Sequence, residues 1–190
     1  GAYDEALTSY QQLIHLNRNL NEIYHNMAIA LNAKGKHTEA LSWLQKVAFG
    51  PGKKQKLLNS TAKTYLFLKD TGNCRSNLEN ALLAFDDGNK NQNDLGETYR
   101  LLGDLAILQD SVQPALQAYT KAISLFYPGF HPSGTEQLPL SYSGIFSYIE
   151  LYETLIAKAK AWQRLSALER SSHGSEQALN TYISAYALLD

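Results

Sequence analysis

The chain has 190 residues, 44% of them hydrophobic, enough to bury one domain core or the shared core of a short repeat array. Its 17 basic and 18 acidic residues leave a net charge of −1, without the clustered excess of Lys and Arg that a nucleic-acid surface needs. No run approaches the ~18 apolar residues of a membrane helix, and the one cysteine excludes an internal disulfide framework, which is compatible with a cytoplasmic setting.

In chain order, residues 2–17 place Ala6, Tyr10 and Leu13 at steps of three and four and predict a helix. Asn19 to Ala33 predicts a second helix, Lys34-Gly35-Lys36 a turn, and Thr38 to Phe49 a third helix ended by Gly50-Pro51-Gly52. That Gly-Pro-Gly is no phosphate loop, because Lys53 and Lys54 arrive without the GxxxxGK[ST] frame. Lys53, Lys54 and Lys56 are expected on a solvated first turn. Residues 54–70 and 74–87 predict another helix pair, with Cys74 as a small buried hydrophobe, and the polar 86–94 stretch a loop.

Residues 95–127 hold the clearest pattern. Tyr99, Leu102, Gly103 and Ala106 share one face of a first helix, and Ala115, Tyr119 and Ala122 share one face of a second. Gln109-Asp110-Ser111 is a polar turn between them, and Pro128 stops the second helix. Gly103 and Ala115 are small enough to let two helix backbones approach closely. The 127–140 segment then breaks the rhythm as a long irregular loop, where Tyr127 and Phe130 are expected to pack onto neighbouring helices with His131 exposed, the alternative being that these three residues reach a partner. Ser141 to Leu168 predicts a long helix through Ile145, Ile149, Tyr152, Leu155, Ile156, Ala159, Trp162 and Leu165. A turn at 171–174 leads to a last helix over 175–189, with Ser175 as its N-cap.

The pattern repeats. Stepping back by 41 from Gly103, Ala106, Ala115, Tyr119 and Ala122 reaches Ala62, Tyr65, Cys74, Leu78 and Ala81, and a further 34 reaches Ala28, Leu31, Ala40, Leu44 and Val47. Stepping forward by 63 from Tyr99, Leu102, Ala115, Tyr119 and Ala122 reaches Trp162, Leu165, Ala178, Tyr182 and Ala185. This placing of Leu-Gly, Ala, Tyr, Ala and a terminal Pro, with a step of 34, resembles the tetratricopeptide repeat (TPR). The resemblance implies an all-α fold, a right-handed superhelix of antiparallel helix pairs with a longer pair at its C-terminal end. It divides residues 1–190 into a half repeat (1–18), repeats at 19–52, 53–90 and 91–128, a loop at 129–140 and a long final pair at 141–190. The orphan first helix and the apolar Leu188-Leu189 are expected to be covered by neighbouring sequence in a longer protein.

Residues 120–190 carry a second resemblance. A helix-ending Tyr-Pro-Gly-Phe, a long helix containing LIAKAKAWQRL and a final SEQALNTYISAYALLD look like the last repeat of bacterial TPR–CHAT proteins. In that family the repeats precede a caspase-like cysteine peptidase domain. The resemblance implies that this chain is a recognition arm, with an intramolecular contact to a C-terminal CHAT domain as one option.

The chain itself holds no peptidase motif, no HExxH, no GxSxG, no paired CxxC and no dinucleotide fingerprint. Its five histidines lack zinc-ligand spacing, so no metal, cofactor or enzyme activity is expected. His37 is expected to pack or cap, and Trp43 and Trp162 to be core. The expected function is a protein–protein interaction scaffold that takes a peptide or protein segment in a concave groove. Arg100, Asp104 and Ile107 form a stripe facing away from the partner helix, and their equivalents are Asn59, Lys63 and Leu66, then His25, Ile29 and Asn32. Lys63 and Arg100 are the expected anchors, through charge-assisted hydrogen bonds. The chaperone-binding carboxylate clamp is not matched, because His25, Ile29, Ser60, Glu97 and Leu101 stand where it would want Lys, Asn, Asn, Lys and Arg. The alternatives are a structural self-assembly module without a peptide ligand, and a small hydrolase without a recognisable motif.

Overall fold

The computed structural model describes residues 1–16, 19–85, 91–129, 145 and 147–189. Phe130, His131 and the rest of the 130–140 loop lie outside the described residues, as do residues 86–90 and 141–144. Every regular element among the described residues is an α-helix, and the chain divides into two compact units, Gly1–Asn89 and Lys90–Asp190.

The first unit holds α1 (Ala2–Ile14), α2 (Leu20–Ala33), α3 (His37–Leu44), α4 (Pro51–Phe67) and α5 (Thr71–Leu83). Each helix packs on the next, and α2 also touches α4. Ala28 and Leu31 of α2 meet Ala40 and Leu44 of α3, and Leu7, Trp43 and Leu57 close over them. Between α4 and α5 the fully buried set is Ala62, Cys74, Leu78 and Ala81, the same small and apolar residue types at the same steps. Hydrogen bonds that advance along both helices, His25 to Ser60 and Asn32 to Thr64, show that α2 and α4 run parallel.

The second unit holds α6 (Gln92–Leu108), α7 (Val112–Phe126), α8 (Tyr148–Glu169) and α9 (Ser172–Tyr186). Gly96 faces Phe126 and Gly103 faces Tyr119, so contacts that advance along α6 retreat along α7, and the two are antiparallel. A β-carbon at Gly103 would overlap the Tyr119 ring, which explains why this position has no side chain. Toward α8, Phe126 and Tyr127 pack with Leu151 and Leu155 at one end. Ala115 and Tyr119 pack with Ala161 and Leu165 at the other. Burial of Phe126, Leu151 and Leu155 contributes ~1.5–3 kcal/mol each. α8 is thus antiparallel to α7 and parallel to α6, beside which it lies.

One turn design joins all four helix pairs. The last turn of each first helix closes with a six-residue hydrogen bond: Lys36 to Leu31 (2.9 Å), Asp70 to Tyr65 (3.0 Å), Ser111 to Ala106 (2.8 Å) and Ser171 to Ser166 (3.2 Å). The residue before each donor is left-handed: Gly35, Lys69, Asp110 and Arg170, with φ of 74°, 56°, 58° and 51°. The accepting positions 31, 65, 106 and 166 step by 34, 41 and 60.

Several predicted boundaries move. The final step is 60 at the turn rather than 63, so α9 starts at Ser172 behind an N-cap at Ser171. Ser175 is therefore inside α9, where its hydroxyl meets that of Ser166 on α8 at 2.7 Å instead of capping the helix. α3 stops at Leu44, short of Phe49, because Ala48 is held on α2: its N–H donates to the Asn21 amide oxygen and its carbonyl accepts from the amide nitrogen. Gly50-Pro51-Gly52 consequently opens α4, with Gly50 as N-cap and Pro51 in the first turn, where its missing N–H costs nothing. Lys53, Lys54 and Lys56 are exposed in that first turn region, as predicted. Ala40, Cys74 and Ala115 are fully buried, as their places at helix crossings predict.

Candidate functional site

The nine residues of the predicted stripe lie on α2, α4 and α6, and the structure treats them differently in the two units. In the first unit the stripe is largely closed. His25 is 2% exposed, its Nε2 lies 2.7 Å from the Ser60 hydroxyl, and its ring sits beside Phe49. Burial, reinforced by the charge of Lys56, lowers its pKa to about 4, so the imidazole is neutral over most of the pH range. Asn32 donates to Thr64 at 2.7 Å and meets His37 Nδ1 at 3.0 Å, while His37 stacks on Phe67. Asn59 is buried. Lys63 and Leu66 are half-buried, and Ile29 alone of this set is strongly exposed. His25, Asn32 and Asn59 are thus seam residues, where the sequence pattern had them displayed to a ligand. A polar residue at an inter-helix seam must find a partner there, and α2 and α4 supply partners to each other.

In the second unit α6 and α8 leave a cavity of about 560 Å³ between them, which takes in Arg100, Asp104 and Ile107 from the predicted stripe. Tyr119 of α7 lies at its base. α8 contributes Tyr152, Glu153, Ile156, Ala157, Lys160, Ala161 and Arg164. Ala157 and Ala161 help to explain the open space, because these positions on α8 lack the bulk to fill it. None of the α8 residues was legible as part of the site: carried forward by 63, Arg100, Asp104 and Ile107 would align with Gln163, Ala167 and Arg170.

The charges of the cavity are ordered. Arg100 is 6% exposed, and its guanidinium donates twice to Glu97, both at 2.7 Å, and once to Asp104 at 3.0 Å. Burial alone would lower its pKa, but the hydrogen bonds and charge of Glu97, with the charges of Asp104 and Glu153, raise it. The second oxygen of Asp104 accepts from the Tyr119 hydroxyl at 2.7 Å. Burial and the Asp104 charge together push that hydroxyl's pKa up, so Tyr119 stays a neutral donor. The expected anchor Arg100 therefore has three of its five N–H donors engaged by its own helix, and acts as the positive centre of an otherwise acidic cluster. At the other end Arg164 pairs with Asp110 and donates to the Ile107 carbonyl at 3.2 Å. Lys160 is exposed and makes no hydrogen bond or ion pair with the described residues. The signal for the Arg100 cluster was in the sequence: Glu97 and Asp104 stand three before and four after Arg100, the spacings that meet on a helix surface.

Among the described residues no group of His, Cys, Asp and Glu is arranged to hold a metal ion, and no helix is long and apolar enough to cross a membrane. A second, shallower depression of about 360 Å³ lies in the first unit around Asn21, Glu22, Phe49 and Lys53, where Lys53 and Glu22 already pair at 2.5 Å.

No family model matches the sequence, and no curated protein is similar to it by sequence. The crystal structure of BtubC (BKLC) from P. vanneervenii is similar in fold, with a TM-score of 0.67 over 98% of this chain and 75% of that one, at 15% sequence identity. At that identity the likeness shows that the two chains share a fold.

Proposed function

We propose that the chain is a protein-interaction scaffold of the TPR type, which takes a peptide segment of a partner protein. The repeat reading is supported by the four turns of one design and by the buried small residues Ala28 and Ala40, Ala62 and Cys74, and Gly103 and Ala115. The observation that carries the binding reading is the α6–α8 cavity, which combines apolar walls with fixed charges of both signs. It moves the binding face from the whole stripe to its Arg100, Asp104 and Ile107 end, completed by α8.

Selection from a displayed library of random peptides tests this reading. The scaffold should enrich a recognisable consensus whose synthetic form binds the chain, and binding should weaken when the cavity is filled by Ala157→Phe. No enrichment above a bare support contradicts it. The residues with strong pKa shifts, His25, Arg100 and Tyr119, are each explained by packing and internal hydrogen bonds, which fits a binding role without catalysis. A cytoplasmic setting fits the single, fully buried Cys74.

The sharper reading, a recognition arm of a TPR–CHAT protein, rests on the sequence resemblance over residues 120–190. It predicts a domain with separated His and Cys motifs encoded in the same gene, and the gene's full reading frame decides it.

A further inference from the structure

We propose that the α6–α8 cavity reads a short extended peptide bearing one basic and one acidic side chain about three residues apart, with apolar residues between. This inference rests on the peptide-binding reading above and gives it a ligand chemistry.

The argument starts from the two exposed charges on α8. Glu153 and Lys160 both line the cavity, and neither makes a hydrogen bond or ion pair with the described residues. They stand seven residues apart, two helical turns, so they share a face at a separation of ~10.5 Å. Their surroundings enlarge the contrast. Arg100 lies in the field of Glu153 as well as those of Glu97 and Asp104, so on that side of the cavity carboxylates outnumber the guanidinium. Around Lys160 the balance is reversed, with Lys160 and Arg164 against Asp110. One end of the cavity is therefore acidic and the other basic.

Between Glu153 and Lys160 the lining from α8 is apolar, formed by Ile156 and Ala157. A chain in the polyproline II conformation advances ~3.1 Å per residue with three residues per turn, so side chains three apart share a face, span ~9 Å and bring a ligand's basic group to the Glu153 end and its acidic group to Lys160. A free amino acid carries its two charges about one residue apart and cannot reach both ends. A peptide entered backwards would set like charges against each other at both ends, which costs affinity twice.

The test uses the 190-residue chain and three acetylated, amidated hexapeptides titrated by calorimetry: Gly-Arg-Leu-Leu-Glu-Gly and the like-charged Gly-Arg-Leu-Leu-Arg-Gly and Gly-Glu-Leu-Leu-Glu-Gly. The first should bind at least ~10-fold more tightly than either of the others. The variant Lys160→Glu alters one exposed position and should pass the preference to the doubly basic peptide. Circular dichroism confirms that its helices are retained. Equal affinity for the three peptides, or a preference that survives Lys160→Glu, overturns the inference. If no hexapeptide binds while library-selected peptides do, the inference falls and the scaffold reading stands. If the library also enriches nothing, both fall.

Discussion

Arg100 is held by Glu97 and Asp104 and lies in the field of Glu153, on a face where α8 covers α6. Taking away the cation would leave the partly buried carboxylates of Glu97 and Asp104 without their counter-charge, a larger penalty than the pair's own net contribution. Arg100→Met should therefore destabilise the second unit by ~2–4 kcal/mol, measured by urea unfolding, while Arg164→Met, which removes an exposed pair, should cost under ~1 kcal/mol. His25 offers a test by pH. Its folded pKa of about 4 lies below the ordinary 6.5, so the unfolded chain binds the proton first as pH falls. Its contribution is fully present above pH 6.5 and is lost as pH falls from 6.5 through 4. Between pH 7.5 and 4.5 the wild type should lose ~2 kcal/mol more stability than His25→Gln, whose side chain does not titrate. Identical pH profiles would show that His25 is not buried as neutral imidazole.

At the scale of the element, the four inter-helix turns share a left-handed residue, yet only Gly35 is the residue type that adopts this conformation without cost. Lys69 and Arg170 hold it with a β-carbon present, which is unfavourable by ~1 kcal/mol or more. Lys69→Gly should raise stability by ~0.5–1 kcal/mol, and Gly35→Ala should lower it by about the same amount, both read from thermal melts. The Lys69 side chain makes no hydrogen bond or ion pair with the described residues, and an unchanged melt in both variants would contradict the shared turn design. Asp70, which follows Lys69, accepts from the Asn73 backbone N–H at 3.0 Å and caps α5, so Asp70→Ala should cost ~1 kcal/mol. The turn at Lys34-Gly35-Lys36 was legible because glycine announces it. Those at Lys69 and Arg170 were not, because tertiary packing imposes a conformation their residue types do not prefer. For the same reason the last turn was expected three residues late, at a step of 63 instead of 60. Ala178 and Ala185 fit the pattern as buried small residues even though the turn ahead of them had moved.

At the scale of the molecule, helix order and the small residues at crossings follow from 3-and-4 spacing and residue size, which are local properties of the chain. The cavity does not. It needs Ile107 on α6 and Arg164 on α8 to meet, a pairing of residues 57 apart in sequence. Which turn of α8 stands beside Arg100 depends on the connection between α7 and α8, and repeat spacing carries no information about that. Arg100, Asp104 and Ile107 could thus be found from periodicity, while Glu153, Ile156 and Lys160 required the fold. The isoleucines make the claim measurable. Ile107 and Ile156 line the cavity, Ile29 is exposed on α2, and Ile149 and Ile183 are exposed elsewhere in the second unit. Methyl NMR of isoleucine-labelled chain, titrated with a library-selected peptide, is the most direct test of where the partner binds. The α6–α8 site predicts saturable shifts of the Ile107 and Ile156 methyls, with Ile29, Ile149 and Ile183 unmoved. Shifts confined to Ile29, or to Ile149 and Ile183, with Ile107 and Ile156 unchanged at saturation, would place the partner elsewhere and contradict it.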